Sequence, residues 1–160
     1  MSIENNTRVP RPAHNYVPEY QQSGIPWVTT KILPSAANAA ALIANISNYK
    51  IDFDFVTRWI KIHSHDDGDG KVGLRLYFNE DAAKTAYDDL ANQDPHYYLF
   101  DLEEISERLE LKCKYIYLVP SEANKASNVA IIAGLTNIRS LDFPDQTYNN
   151  GFLGVQNNPN

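Results

Sequence analysis

Apolar and polar residues alternate along the middle of the chain, as they do in half-buried β-strands. Two segments keep this period of two over eight to ten residues, Lys71 to Phe78 and Leu109 to Leu118. The segment 128–135 is apolar at both parities, which is typical of a strand in a sandwich core. Shorter strand candidates lie at 25–33 and 97–102. The pattern therefore predicts a protein built mainly of β-strands.

One strand candidate changes phase. From Ile51 to Phe55 the apolar positions are odd, and from Val56 to Ile62 they are even. A slip of one residue turns every following side chain to the other face, so a bulge or a bend between two sheets is expected near Phe55 and Val56. Trp59 then faces away from the apolar side chains of its own strand.

Two helices are also predicted. Asn79 can cap a helix over 80–91, in which Glu80 and Asp81 favour the first turn. Ser35 can cap an alanine-rich helical segment over 36–44. With about seven or eight strands and one inserted helix, the fold class is all-β, an antiparallel β-sandwich of jelly-roll type.

The sandwich is expected to span residues 25–141, between two extended arms. The N-terminal arm, 1–24, contains Pro10, Pro12 and Pro18, which restrict φ and remove backbone donors. The C-terminal arm, 142–160, is rich in Asn, Pro and Gly but also carries apolar residues without local partners. Neighbouring subunits could bury such arms. The interface candidates are Pro10, Pro12, Tyr16, Trp59, Tyr148, Phe152 and Leu153.

Composition and charge narrow the functional classes. The chain of 160 residues carries a net charge of −6, which disfavours a general nucleic-acid surface. Its single cysteine excludes an internal disulfide, no apolar run is long enough for a membrane span, and the polar start does not resemble a signal peptide. The segment 80–110 holds ten acids and two bases. It is either a solvated acidic face or a contact for a basic partner.

The densest polar cluster is the segment 63–70, His-Ser-His-Asp-Asp-Gly-Asp-Gly. The candidate metal ligands there are His63, His65, Asp67 and Asp69. His63 and His65 with Asp69 approximate half of a cupin metal motif, whereas Asp66, Asp67 and Asp69 could form an irregular calcium site. An EF-hand does not fit, since His and Leu fall where its end ligands should be. A plain Asp-Gly hairpin loop explains the cluster without any ligand and is preferred, so no cofactor or metal is assigned.

No other residue pattern indicates catalysis. Cys113 sits on an apolar strand face and is expected to be a small buried side chain. Asp52 and Asp54 are expected on a polar outer face. Four tyrosines on predicted strands could serve either an interface or a core, namely Tyr97, Tyr98, Tyr115 and Tyr117. The protein is therefore expected not to be an enzyme.

Five stretches, in this order, resemble small single-jelly-roll structural proteins of icosahedral double-stranded DNA viruses, of the minor capsid or decoration kind. They are Ser23 to Thr29, Phe55 to Ile62, Leu109 to Lys114, Ala133 to Ile138 and Gly151 to Val155. The resemblance implies a virion component without catalytic residues. The helix near Asp81 to Leu90 is an insertion relative to the short loop expected there.

Three classes of function remain open from the sequence. The first is a non-enzymatic capsid subunit in the virion, assembled inside the host cell, which contacts other capsid proteins and copies of itself, a trimer being possible. The second is a jelly-roll module for carbohydrate- or calcium-dependent binding, with the segment 63–70 and exposed aromatic side chains as its site. A cupin-like metalloenzyme is a third alternative.

Overall fold

A computed structural model describes residues 25–65, 72–87, 97–100 and 106–143. The predicted N-terminal arm and residues 144–160 of the predicted C-terminal arm lie outside the described residues. The interface candidates Pro10, Pro12, Tyr16, Tyr148, Phe152 and Leu153 therefore lie outside them as well.

Within the described residues, seven strands form two antiparallel sheets. In chain order the strands are β1 (Ile25–Leu33), β2 (Lys50–Asp52), β3 (Phe55–His65), β4 (Leu74–Tyr77), β5 (Tyr98–Phe100), β6 (Tyr115–Pro120) and β7 (Ser127–Arg139). One sheet has three strands in the order β1-β7-β3, and the other has four strands in the order β2-β6-β4-β5.

The strand pairs are nested within one another along the chain. β1 pairs with β7, β2 with β6, and β4 with β5. Between these pairs, Ile60 of β3 forms an isolated antiparallel bridge with Leu109. Successive pairs alternate between the two sheets, as if one long hairpin had been rolled up. This is the strand order of a jelly roll, in which the segment at Leu109 takes the place of an eighth strand. The predicted all-β sandwich is confirmed.

The main core lies between the two sheets. Its largest fully buried side chains include Leu33, Ile60, Ile62, Leu74, Leu76, Ile116, Leu118, Ile131 and Leu135. Trp27 closes one part of the core by packing edge-on against Phe53, with 4.8 Å between the ring centroids. Aromatic pairs favour this edge-to-face arrangement.

The predicted change of phase is confirmed as a change of sheet. β2 belongs to the four-stranded sheet and β3 to the three-stranded sheet, so the chain crosses over at Phe53 and Asp54. The register of β3 against β7 then shifts between Phe55 and Thr57 and again between Thr57 and Trp59. As a result Phe53, Val56, Ile60 and Ile62 are all buried although their parity differs.

The alternating segment at Leu109 to Leu118 is not one strand, contrary to the prediction. Leu109 bridges to the three-stranded sheet, whereas β6 begins at Tyr115 in the four-stranded sheet. The residues between them cross from one sheet to the other. Cys113 is still buried there, because a segment passing over the open side of a core can bury alternate side chains without being a strand. Periodicity alone does not separate the two cases.

Two short helices cover one side of the sandwich, α1 (Ala39–Ala44) and α2 (Glu80–Lys84). Asn79 caps α2 as predicted, with its side chain accepting a hydrogen bond from the Ala82 N–H at 2.7 Å. The predicted cap at Ser35 is wrong. Asn38 caps α1 instead, by accepting a hydrogen bond from the Ala41 N–H at 2.9 Å.

The helix α2 ends at Lys84 and not at residue 91 as predicted. Beyond Lys84 the described residues contact the four-stranded sheet. The Arg75 guanidinium donates to the Ala86 carbonyl, and the Tyr87 hydroxyl donates to the Pro120 carbonyl at 2.9 Å. Residues 88–96 lie outside the described residues.

The described chain ends against the sandwich. After β7 a 3₁₀ turn runs over Ser140–Asp142, and Asp142 forms an ion pair with Arg139 at 3.1 Å. The Ser140 hydroxyl donates a hydrogen bond to the Phe53 carbonyl. Phe143 packs on a small second cluster made by Val56 and Ile138, both 0% exposed. Residues 142 and 143, assigned above to the C-terminal arm, thus contact the sandwich.

Candidate interaction surface

Alternate residues of the three-stranded sheet point away from the core and form an outward face. The register aligns them in rows across the three strands. In one row Ile132 of β7 lies between Val28 of β1 and Lys61 of β3. In the next row Ala130 lies between Thr30 and His63. The name outward face refers below to the following residues of this sheet: Pro26, Val28, Thr30, Ile32, Trp59, Lys61, His63, Asn128, Ala130 and Ile132.

The outward face carries large apolar side chains that the described part of the chain leaves uncovered. Val28 is 70% exposed, Ile32 is 71% exposed and Ile132 is 50% exposed. Val28 and Ile132 are direct cross-strand neighbours, so they form one patch. Contiguous exposed apolar side chains on a sheet are typical of binding surfaces, whereas single ones need no explanation.

A groove of about 400 Å³ runs along the same face. Its described lining comes from all three strands of the sheet, with Ile32 and Val129 contributing apolar surface and Asn128 and His63 contributing polar atoms. Thr30, Lys31 and Ala130 complete the lining. The groove therefore lies beside the Val28–Ile132 patch and extends it toward the end of β3.

The charge of the three-stranded sheet differs from that of the whole chain. The chain has 20 acids, yet none of the strands β1, β3 and β7 contains an acid. The same strands contain Lys31, Arg58, Lys61 and Arg139. The outward face itself carries Lys61 and no acid, in a protein whose net charge is −6.

The predicted interface residue Trp59 lies at one edge of the outward face. It pairs in register with Gly134, and its side chain is half-buried. The Arg108 guanidinium stacks on the Trp59 ring at 5.0 Å from the centroid and also forms an ion pair with Glu110 at 2.7 Å. Trp and Arg are enriched among residues that dominate binding energy at interfaces, so this edge is suited to contact a partner.

The predicted metal ligands are only partly described. His63 lies on the outward face and lines the groove, and His65 is the last residue of β3, in register with Asn128. His63, Ser64 and His65 thus continue a strand and do not belong to a loop, whereas Asp66, Asp67 and Asp69 lie outside the described residues. Within the described ranges no group of three or more His, Cys, Asp or Glu side chains could hold a metal ion.

The single thiol is enclosed. Cys113 is 2% exposed, and burial raises its pKa to about 12, although its contact with the Thr57 hydroxyl acts in the opposite direction. A neutral thiol of this kind is a poor nucleophile. The exposed Asp52 carboxylate forms an ion pair with Lys50 at 2.8 Å and lies with Asp54 on the polar exterior, as predicted.

The four tyrosines that could serve either an interface or a core differ in their exposure. Tyr117 is 2% exposed, and its hydroxyl donates a hydrogen bond to Glu80 at 3.2 Å. Tyr98 is 55% exposed on the edge strand β5. Tyr97 and Tyr115 are half-buried. The aromatic content of the chain therefore serves the packing of the helix-covered side as well as the surface.

The packing of that side includes residues that the sequence analysis did not single out. Arg75 stacks over the Tyr97 ring at 5.0 Å from the centroid. Burial raises the pKa of Tyr77 to about 12, and burial also raises the pKa of Tyr87. The Tyr49 hydroxyl donates to the Pro34 carbonyl at 2.9 Å. These hydroxyls tie loops to the sheet, which is a structural role.

The described part of the acidic segment 80–110 is exposed and partly paired. Lys84 contacts Glu80 at 2.6 Å, and this hydrogen bond holds the pKa of Glu80 below its ordinary value. Six of the acids, Asp88, Asp89, Asp94, Asp101, Glu103 and Glu104, lie outside the described residues. A basic partner for this segment stays a prediction.

The sequence contained a signal for the outward face. The segment 128–135 is apolar at both parities, a pattern that predicts burial on both sides. Its inner residues are buried, but Ile132 is open to solvent.

No helix in the described ranges combines the length and apolar character needed to cross a membrane.

No protein-family model matches the sequence, and a search of curated proteins gives no match. Among solved structures, the structure of IMPa from Pseudomonas aeruginosa in complex with an O-glycopeptide is similar over 74% of this chain, at 14% sequence identity and a TM-score of 0.33. The likeness spans 14% of that protein's chain. A TM-score this low carries no argument about this chain.

Proposed function

We propose that this protein is a non-enzymatic structural subunit of a virion, a minor capsid or decoration protein that binds neighbouring capsid proteins. The observation that carries the proposal is the outward face of the three-stranded sheet, where Val28, Ile32 and Ile132 are uncovered. A jelly roll whose flat face is apolar and acid-free is suited to lie against another protein. The resemblance to small jelly-roll proteins of icosahedral viruses supplies the class of assembly.

The chemistry of the described residues supports a role without catalysis. The thiol of Cys113 is enclosed and neutral, and Asp52 is engaged with Lys50 on the surface. The stacked pair Trp59 and Arg108 adds an anchor at the edge of the same outward face. These features favour binding over the transformation of a substrate.

The test is the location and stoichiometry of the protein in particles. Virus particles purified from the source by density gradient would be probed with antibodies raised against the recombinant chain. We expect a constant ratio to the major shell protein across the gradient, and release together with shell components when particles are disrupted. A protein found only outside the particle fractions would contradict the proposal.

A carbohydrate- or calcium-dependent binding module is the second candidate, and the groove of about 400 Å³ is the observation that favours it. Its lining combines the apolar Ile32 with the polar Asn128 and Thr30, a mixture that sugar sites use. Titration calorimetry with calcium and a glycan panel tests this candidate. Binding that is lost in Asn128→Ala and Thr30→Val would favour the module, and silence on both ligands would exclude it.

A further inference from the structure

The outward face is open to an occupant, because the described residues leave its apolar side chains uncovered. Val28 and Ile32 are 70% and 71% exposed, and Ile132 beside Val28 is 50% exposed. The inner residues of the same strands are buried in the main core, so these outward side chains add nothing to the sandwich itself. A segment supplied from outside the chain would remove their apolar surface from water.

We propose that the outward face binds the C-terminal segment 144–160 of a neighbouring copy of this chain. This inference rests on the proposed function, since it identifies which surface and which segment join two structural subunits. The segment contains Tyr148, Phe152, Leu153 and Val155, four apolar side chains among Asn, Gly and Pro. Such a composition builds no core of its own.

The position of the chain end supports this occupant. The described chain ends at Phe143, which already packs on Val56 and Ile138, at the end of the strand pair β3–β7. The 17 residues that follow can span about 55–60 Å when extended. They can therefore leave one sandwich and reach along a strand of the next, whose residues rise by about 3.3 Å each.

Charge also favours this occupant. The outward face contains one base, Lys61, and no acid. Residues 144–160 contain one acid, Asp145, and no base. An acidic or neutral segment meets no like charge on this face, whereas a basic peptide would meet Lys61 on β3, next to Ile132.

The groove gives the apolar side chains a place to insert. It lies beside the Val28–Ile132 patch, and its volume of about 400 Å³ is within the range of sites that hold small ligands or a few side chains. We assign Phe152 and Leu153 to the groove and the patch, because they are consecutive large apolar residues flanked by glycines. Glycine on both sides lets the backbone approach the sheet closely.

Two variants of the full chain separate the face from the segment. The face variant carries Val28→Thr and Ile132→Thr, which keep the β-branched shape while removing apolar surface. The segment variant carries Phe152→Ser and Leu153→Ser. The control variant is Leu99→Thr, which alters an apolar residue that is 48% exposed but lies on β5 in the other sheet. Circular dichroism and thermal melting confirm that each variant is folded.

Sedimentation velocity measures association of each variant alone and of their mixture. We expect the wild type and Leu99→Thr to associate, and the face and segment variants each to associate at least about tenfold more weakly. An equimolar mixture of the two variants regains association, because one supplies an intact face and the other an intact segment. Wild-type chains that stay monomeric would overturn the proposal, as would variants that associate like the wild type.

The mixture also distinguishes a neighbour's segment from the chain's own segment. If each chain covered its own face, the mixture would gain nothing over the separate variants, and the proposal would be wrong. Cross-linking gives an independent readout, since Cys113 is buried and leaves introduced thiols as the reactive ones. An Ile132→Cys chain mixed with a Leu153→Cys chain of different mass should give the mixed disulfide dimer in excess over both same-chain dimers.

Failure of this inference differs from failure of the proposed function. If the protein is present in particles but the mixed variants do not regain association, only the contact between the C-terminal segment and the outward face is contradicted. If the mixed variants regain association but the protein is absent from particles, only the virion role is contradicted.

Discussion

The hydroxyl of Thr57 holds the crossover segment at Cys113 against the three-stranded sheet. Thr57 Oγ1 accepts a hydrogen bond from the Cys113 N–H at 3.1 Å and donates to the Leu111 carbonyl at 2.6 Å. It also lies 3.2 Å from Cys113 Sγ. Thr57 itself is 0% exposed, so no water replaces these contacts. The Thr57 side chain thus adds to the backbone hydrogen bonds that Thr57 and Ile60 form with Cys113 and Leu109 at this edge.

Replacing Thr57 by Val should destabilise the protein by about 2–3 kcal/mol, because the Cys113 N–H and the Leu111 carbonyl lose a buried partner. Thr57→Ser is the matched control, since it keeps the hydroxyl and loses one methyl group at a cost of about 1 kcal/mol. Urea unfolding followed by circular dichroism measures both. If Thr57→Val were as stable as Thr57→Ser, the hydroxyl would not have this role.

Stability should fall at alkaline pH. Burial raises the pKa of Cys113 from its ordinary value of 9.0 to about 12, so the folded chain keeps this proton to higher pH than the unfolded chain. The resulting stabilisation is complete below pH 9 and is lost as the pH rises from about 9 to 12. Burial shifts the pKa of Tyr77 in the same direction, to about 12.

The contribution of the thiol can be isolated with Cys113→Ala. In this variant the decline of unfolding free energy above pH 9 should be shallower by up to about 1.4 kcal/mol per pH unit. The tyrosines leave a residual decline in both proteins. Denaturant unfolding at several pH values checks this, and identical slopes for the wild type and Cys113→Ala would contradict the assigned cause.

The two cap residues near α1 should respond differently to truncation. Asn38→Ala removes the acceptor for the Ala41 N–H and should cost about 1 kcal/mol. Ser35→Ala alters an exposed residue outside the cap and should change stability by less than about 0.5 kcal/mol. Thermal melts of the two variants decide between them, and a larger loss for Ser35→Ala would reverse the assignment of the cap.

Removing the guanidinium over Trp59 should expose the indole. In a Trp27→Phe background, Arg108→Ala is expected to shift the fluorescence emission of Trp59 to longer wavelength, because the ring loses its cover at 5.0 Å. Stability should change by less than about 1 kcal/mol, as for other exposed cation–π and ion pairs.

The comparison variant is Arg58→Ala in the same background. Arg58 approaches Glu110 only at 4.0 Å, so its removal should leave the emission unchanged. An equal shift in both variants would indicate a general change of charge near Trp59 and not the loss of a stacked group.

Several parts of the fold could be predicted from the sequence because they depend on local patterns. β1 has the predicted bounds, since its two ends are marked by a change in composition. The sheet change near Phe55 follows from parity alone, because a buried side chain must face the core in either sheet. The cap of α2 at Asn79 follows from one cap-type residue placed directly before two acids.

Other parts depend on contacts between distant segments and could not be predicted. Ser35 and Asn38 are both able to cap a helix, and tertiary packing of α1 selects the second. The end of α2 is followed by contacts with the four-stranded sheet, where Arg75 of β4 donates to the Ala86 carbonyl. The outward face is recognisable only once β1 is known to pair with β7, because that pairing places Val28 beside Ile132.

The nested pairing of strands has a consequence for how the protein is made. Ile25 at the start of β1 pairs with Leu135, about 110 residues later. At a synthesis rate of about 5–20 residues per second, β1 leaves the ribosome roughly 6–20 seconds before its partner exists. During that interval the hairpin of β4 with β5, whose partners are close in sequence, can form first. β1, the first strand synthesised, therefore completes its pairing only after β7, the last strand, has been made.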